Sequence, residues 1–301
     1  MSINVFALPR IIQKGGNGTC LLFVAAVLII IRSCSLPKTN HDAVLNIYTR
    51  YRQCIEQQFR YVSDQDIWRI ARSVFYTCEQ KTSFKTDGIK HFPARNKITY
   101  VLMPNNIKVR KCNVLTIGVG SDVTAEKFIR RTPLAKCHFY GTDPDSARNE
   151  DLYQEIGKFF PFAIGNATRK DIVELKGLNN IRFEIFVEHV ELMEFLRDHV
   201  GMKPGWYIDL LLMDMHYGEY EVLQYFLRDG PIEKEKYTIC QWNLDIHEPR
   251  SISERELFGN FVRRTAYEGR YIPLSDKHAK YYLINIEDSQ CFNRYVNGIL
   301  F

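Results

Sequence analysis

Val114-Leu-Thr-Ile-Gly118-Val-Gly120-Ser-Asp122, followed by Tyr140-Gly-Thr-Asp143-Pro-Asp145, is the stretch whose reading decides the fold. Val114 to Gly118 is a short, strongly apolar run that ends in two glycines and leads directly into an amphipathic segment near 123–131. Glycine at 118 and 120 lets the backbone turn tightly and lets a ligand approach with no Cβ in the way. A second apolar run, Cys137 to Gly141, is followed by Asp143, 23 residues beyond Gly120, where a carboxylate can accept both hydroxyls of an adenosine ribose.

The alternation continues down the chain. Further strands are predicted at Phe159 to Ile164, Ile208 to Asp214, Tyr237 to Leu244, Tyr271 to Leu274 and Tyr281 to Ile286, with helices near 190–199, 218–228 and 253–266. Ser253 and Glu256 read as the capping box of the last helix. Strands apolar on both faces, separated by helices, imply a mostly parallel sheet covered on both sides, a doubly wound α/β domain. Upstream, Val44, Ile47, Tyr51, Ile55, Phe59 and Val62 recur at helical spacing, and Ser63 with Asp66 opens a second helix striped by Ile67, Ile70, Val74 and Cys78. The chain therefore divides into a leader over 1–39 and a domain over 40–301, itself helical over 40–95 and α/β over 96–301.

Residues 1–41 carry Arg10, Lys14, Arg32 and Lys38 and no acid; removing these four from the 40 basic residues leaves 36 against 35 acids. A nearly neutral body offers no broad basic field to a nucleic-acid backbone, so nucleic acid is excluded as a partner. Cys20 to Ile31 is an unbroken apolar run between basic flanks. It reads as an uncleaved signal anchor holding the C-terminal domain in the lumen of the secretory pathway, with a cleaved signal peptide and secretion as the alternative. A lumenal domain would permit disulfides and expose the sequon Asn166-Ala-Thr168. Of the eight cysteines, Cys54 and Cys78 on consecutive helices make the most plausible bridge; Cys112, Cys137 and Cys240 fall in or beside buried strands, with no framework evident and the pairing left open.

A dinucleotide site wants a third glycine where this chain has Val123, whereas S-adenosylmethionine, lacking a pyrophosphate, does not. The four segments 114–122, 140–145, 157–166 and Leu210-Leu-Leu-Met-Asp214-Met-His216-Tyr217-Gly-Glu219, with Cys240-Gln-Trp-Asn-Leu-Asp245-Ile-His247 after them, resemble in order the FkbM-type S-adenosylmethionine-dependent methyltransferases, in their divergent nematode-type branch. The resemblance implies a seven-stranded methyltransferase sheet and O-methylation of a hydroxyl on a small molecule or glycan. It implies that Gly118, Gly120 and Asp122 line the cofactor, that Asp143 holds its ribose and that Asn166 lies near its adenine. Two departures stand out: Thr116 replaces an acid that would meet the cofactor's amino group, and an Asp-x-Glu-Gly pattern becomes Asp214-Met-His216-Tyr217. With these departures the chain also reads as a non-catalytic lumenal or extracellular binding module on a degenerate fold.

An alcohol needs a base or a metal before it attacks a methyl group. Asp214, His216, Asp245, His247 and Glu219 are the residues expected to carry that chemistry. In the strand order that the resemblance implies these two strands are neighbours, so that with i and i+2 of each strand end pointing the same way, Asp214, His216, Asp245 and His247 converge on a possible divalent metal. The six other histidines are read as ordinary loop or core residues. The oligomeric state is not legible in the sequence.

Overall fold

The structure, a computed structural model, describes residues 40–82, 86–94, 97–105, 112–176, 182–275 and 280–297. Two helices, α1 (Asn40–Phe59) and α2 (Asp64–Thr82), precede a hairpin of β1 (Ile89–Ala94) and β2 (Lys97–Leu102). There follow β3 (Asn113–Ile117), α3 (Thr124–Ile129), β4 (His138–Thr142), α4 (Ser146–Gln154), β5 (Lys158–Phe160), β6 (Ala163–Gly165), β7 (Arg169–Lys176), β8 (Arg182–Glu191) and α5 (Leu192–Glu194). The chain continues through β9 (Tyr207–Ile208), β10 (Leu210–Met213), α6 (Glu219–Val222), α7 (Pro231–Lys234), β11 (Thr238–Ile239), β12 (Gln241–Asp245), α8 (Ile252–Glu268), β13 (Tyr271–Ser275), β14 (Lys280–Asn285) and α9 (Ser289–Cys291).

Seven strands form one sheet in the order β13-β14-β12-β10-β3-β4-β5. Only β14 runs against its neighbours, pairing antiparallel with both β12 and β13. Every residue of β3, β10 and β14 is buried, the signature of strands covered on both faces. From β3 the chain steps outward to β4 and β5, then returns to the other side of β3 for β10 and β12. The order thus reverses between β3 and β10, and a crevice opens at the carboxyl ends of these strands, where ligands of such sheets bind.

The N-terminal helices pack on the same body. Tyr48 and Tyr51 donate their hydroxyls to the carbonyls of Tyr271 and Pro273 on edge strand β13, both at 2.6 Å. Arg263 of α8 closes the turn between α1 and α2, donating to Asp64, Phe59 and Val62. The hairpin lies across the sheet face through side chains that act as a surrogate strand. Asn243 exchanges two hydrogen bonds with the backbone of Tyr100, and Gln241 does the same with Leu102.

Several sequence expectations require correction. The 40–95 segment is helical only to Thr82, and its end is strand β1. The run Phe159 to Ile164 is two strands in two sheets, because β6 leaves the main sheet to join β8, which also pairs with β7. The runs from 208 and 237 break at Asp209 and Cys240, so that the two-residue strands β9 and β11 pair separately from β10 and β12. Helix α8 is capped by Ser251, which accepts from the amide of Glu254; the capping residues lie two positions before Ser253 and Glu256. The leader and the anchor expected in it fall outside the described residues; among those described, no helix is long and apolar enough to cross a membrane.

The cysteines also differ from expectation. Cys54–Cys78 is bridged as anticipated, and Cys112–Cys137 and Cys240–Cys291 are bridged too. Spacing could not show the last two, because the sheet, not the sequence, brings the starts of β3 and β4 together. In the unreduced, denatured protein these six cysteines should resist alkylation. Reduction should expose all six and cost about 2–4 kcal/mol of stability per bridge. Mass spectrometry after iodoacetamide treatment checks the pairing, and labelling of any of the six without reductant contradicts it.

Candidate active site

The crevice is built from the first loop upward. Gly118 ends β3 at φ +84°, and a Cβ there would sit 1.7 Å from the Asp214 carbonyl oxygen, so no other residue fits between β3 and β10. Gly120 is at φ +66° with nothing within 4 Å of where a Cβ would stand, leaving open space above the loop. Asp143 holds this loop in shape: one carboxylate oxygen accepts from the Gly120 amide at 3.0 Å and the other from the Asp145 amide at 2.8 Å. Asn149 adds a bond from the Ser121 amide at 2.8 Å. Burial pushes the Asp143 carboxyl up, and the two amides oppose that shift.

Thr116, Gly118, Val119, Asp122 and Glu126 line the crevice together with Lys97, Asp214, Asn243, Asp245 and Lys280. As expected, β10 and β12 are neighbours, with Met213 level with Leu244. Their terminal carboxylates are, however, each held by a lysine: Lys97 Nζ lies 2.8 Å from Asp214, and Lys280 Nζ lies 2.9 Å from Asp245. Burial raises the cost of the Asp214 charge, but Lys97 outweighs it, and the carboxyl sits below the usual carboxylate range. Asp245 moves up, through burial and then the Asp214 charge, with Lys280 opposing.

The histidines form a second group beside the crevice. His247 donates or shares a proton through Nδ1 with Glu219 Oε1 at 2.7 Å, and its backbone amide donates to the same oxygen at 2.9 Å. Glu219 is fully buried, and its other oxygen is buried without a hydrogen-bond partner among the described residues. That hydrogen bond lifts the His247 pKa above its ordinary value despite burial, and the charges of Glu219, Asp214 and Asp245 add to the rise. The ring centroids of His216 and His247 are 4.9 Å apart.

The four-ligand arrangement anticipated for a metal does not form. Strand β10 ends at Met213, and His216 lies in a left-handed turn at φ +53°, so Asp214 and His216 are not an i, i+2 pair of one extended segment. Among the described residues no three of His, Cys, Asp and Glu converge as metal ligands. The donor set does fit a cationic, phosphate-free cofactor: the crevice wall carries Asp122, Glu126, Asp214 and Asp245 against Lys97 and Lys280. Asn166 lies outside that wall. It is exposed, with its side-chain oxygen accepting from Arg169 and its amide donating to Glu221.

Sequence reading missed both lysines. Lys97 sits on a hairpin that no predicted strand anticipated, although a lysine directly before the apolar run Tyr281 to Ile286 was a visible signal. Residues 74–268 match the family model described as the methyltransferase FkbM domain. No curated protein and no solved structure matches the chain.

Tyr217 stands at the position where a glycine was expected, at φ +82°. Its ring lies 4.0 Å from the Arg250 guanidinium and 5.0 Å from the His247 ring. A left-handed backbone costs a side-chain-bearing residue about 1–2 kcal/mol, which these contacts partly offset. Tyr217→Ala loses the contacts and keeps the strain, while Tyr217→Gly loses both. The alanine variant should therefore be less stable than the glycine variant by about 1 kcal/mol in urea unfolding. The reverse order would contradict the left-handed conformation.

Proposed function

We propose, for a chain that belongs to the FkbM methyltransferase family, that it is an S-adenosylmethionine-dependent O-methyltransferase acting on a hydroxyl of a small molecule or glycan. The observation that carries this reading is the Glu219–His247 dyad beside an acidic crevice at the strand-order switch. The cofactor, when bound, supplies a methyl group on a positively charged sulfur. The excess of carboxylates on the crevice wall favours such a charge, and Gly118 and Gly120 keep the loop clear of side chains. Glu219, by engaging Nδ1, fixes the His247 ring and leaves Nε2 as the basic atom. From there His247 would take the proton of the acceptor hydroxyl, while the bound cofactor would supply the methyl group. Holding the two reactants in line and excluding water supplies most of the remaining rate. The alternative, a non-catalytic binding module, draws on Tyr217, whose ring packs against His247 where glycine would leave space.

The compartment proposed is the secretory pathway, with an N-terminal anchor and a lumenal domain. Three disulfides suit an oxidising compartment, and Asn166 of the sequon is exposed.

Calorimetric titration of the full-length protein with S-adenosylmethionine and S-adenosylhomocysteine is the first test. Binding of both is expected, and no heat from either at millimolar ligand removes the enzyme reading and leaves the binding module. The pH dependence tests the base. His247 must be neutral to act, and its pKa is raised, so methyl transfer to a panel of simple glycosides and alcohols should climb with pH through a value above the ordinary histidine pKa of about 6.5. Glu219→Gln should move that limb to lower pH and reduce kcat by about 10- to 100-fold. An unshifted limb would assign the proton to another group.

Topology is tested separately, by protease protection of microsomes carrying an epitope after Phe301. The tag should survive until detergent is added, and its digestion in intact vesicles would put the domain in the cytosol.

A further inference from the structure

Glu126 lies in the first turn of α3, only 3 % exposed, with its side chain on the crevice wall beside Thr116 and Gly118. Its Oε1 accepts the Thr116 hydroxyl at 3.0 Å, and the Thr116 oxygen in turn accepts from the buried Tyr153 hydroxyl at 3.2 Å. The chain Tyr153 to Thr116 to Glu126 thus fixes the carboxylate in one orientation. Among the described residues no salt bridge reaches it. Lys97, which lines the same crevice, has its ammonium 2.8 Å from Asp214 instead. Burial pushes the Glu126 carboxyl up, and its own backbone amide, the Thr116 hydroxyl and the more distant Lys97 charge oppose that shift without cancelling it.

A buried, oriented carboxylate facing an open crevice is complementary to a small cation with N–H groups to donate. Resting on the reading of the crevice as an S-adenosylmethionine site, we propose that Glu126 binds the primary ammonium of the ligand's amino-acid portion. Of the two positive centres in that ligand, the sulfonium has no hydrogen to donate, whereas an ammonium offers three donors. The acid missing from position 116 at the end of β3 is replaced, in space, by one arriving from the next helix. Thr116 then serves Glu126 as a positioning residue.

The test compares S-adenosylhomocysteine, which has the ammonium and no sulfonium, with 5′-deoxy-5′-methylthioadenosine, which has neither. Calorimetry of the full-length protein gives both dissociation constants. Glu126→Gln should weaken S-adenosylhomocysteine by about 10- to 100-fold, the loss of one charge-assisted hydrogen bond, and leave methylthioadenosine within about twofold. Retained methylthioadenosine binding also shows that the variant is folded. Unchanged S-adenosylhomocysteine affinity, or equal loss of both ligands, overturns the assignment. If the variant does not fold, wild-type protein is titrated with the deaminated analogue of S-adenosylhomocysteine. About 10- to 100-fold weaker binding supports the ammonium site, and equal affinity overturns it. Wild-type protein that binds S-adenosylhomocysteine while Glu126→Gln binds it equally well fails this proposal alone; wild-type protein that binds neither ligand fails the cofactor reading with it.

Discussion

The approach of Gly118 to the backbone of Asp214 is the constraint on which the site depends. With β3 and β10 hydrogen-bonded in register from Val114 and Leu210 to Ile117 and Met213, the two chains diverge only past Ile117, where the Asp214 amide still donates to its carbonyl at 2.9 Å. The Asp214 carbonyl then occupies the volume in which any Cβ at 118 would lie. That contact sets where the strand order reverses, and so places the glycine loop, the two strand-end aspartates and Glu126 around one crevice.

Charge is concentrated there at a cost that the fold meets with partners from distant segments. Lys97 comes from the hairpin laid across the sheet, and Lys280 from the single antiparallel strand. Each neutralises a strand-end carboxylate that would otherwise be buried alone, which is what makes two aspartates on adjacent strands tolerable. Because Lys97 lowers the Asp214 pKa while the Asp214 charge raises that of Asp245, the pair is driven apart. The dyad of Glu219 and His247 stands outside this arrangement yet within its field, since both aspartates contribute to the raised His247 pKa.

Rigidity is placed at the opposite edge. Cys112 precedes β3, Cys137 precedes β4 and Cys240 precedes β12, so two of the three bridges tie down the amino ends of central strands. Asp209, wholly buried, adds to that end by accepting from Tyr295, Arg294 and the Asn113 amide. Cross-links that restrict the amino ends leave the carboxyl-end loops free to be shaped by ligand-facing requirements.

The sequence by itself determined the class of fold and the location of its crevice. Apolar runs at 114–118, 137–141 and 208–214 mark central strands of a sheet, and a strand followed by Gly118 and Gly120 with Asp143 after the next strand marks the carboxyl edge through local stereochemistry. The family was legible in an ordered set of motifs, and the adjacency of β10 and β12 followed only from the strand order that this resemblance implies. Tertiary structure decided what local pattern cannot carry. The long apolar runs broke into separate strands because pairing partners, not hydrophobicity, set where a strand ends. Asp214 and Asp245 met lysines, not a shared metal, because partners 117 and 35 residues away in the chain meet only through the packed hairpin and β14. Glu126 meets Thr116 because the first turn of α3, invisible as a motif, brings its carboxylate back to the end of β3.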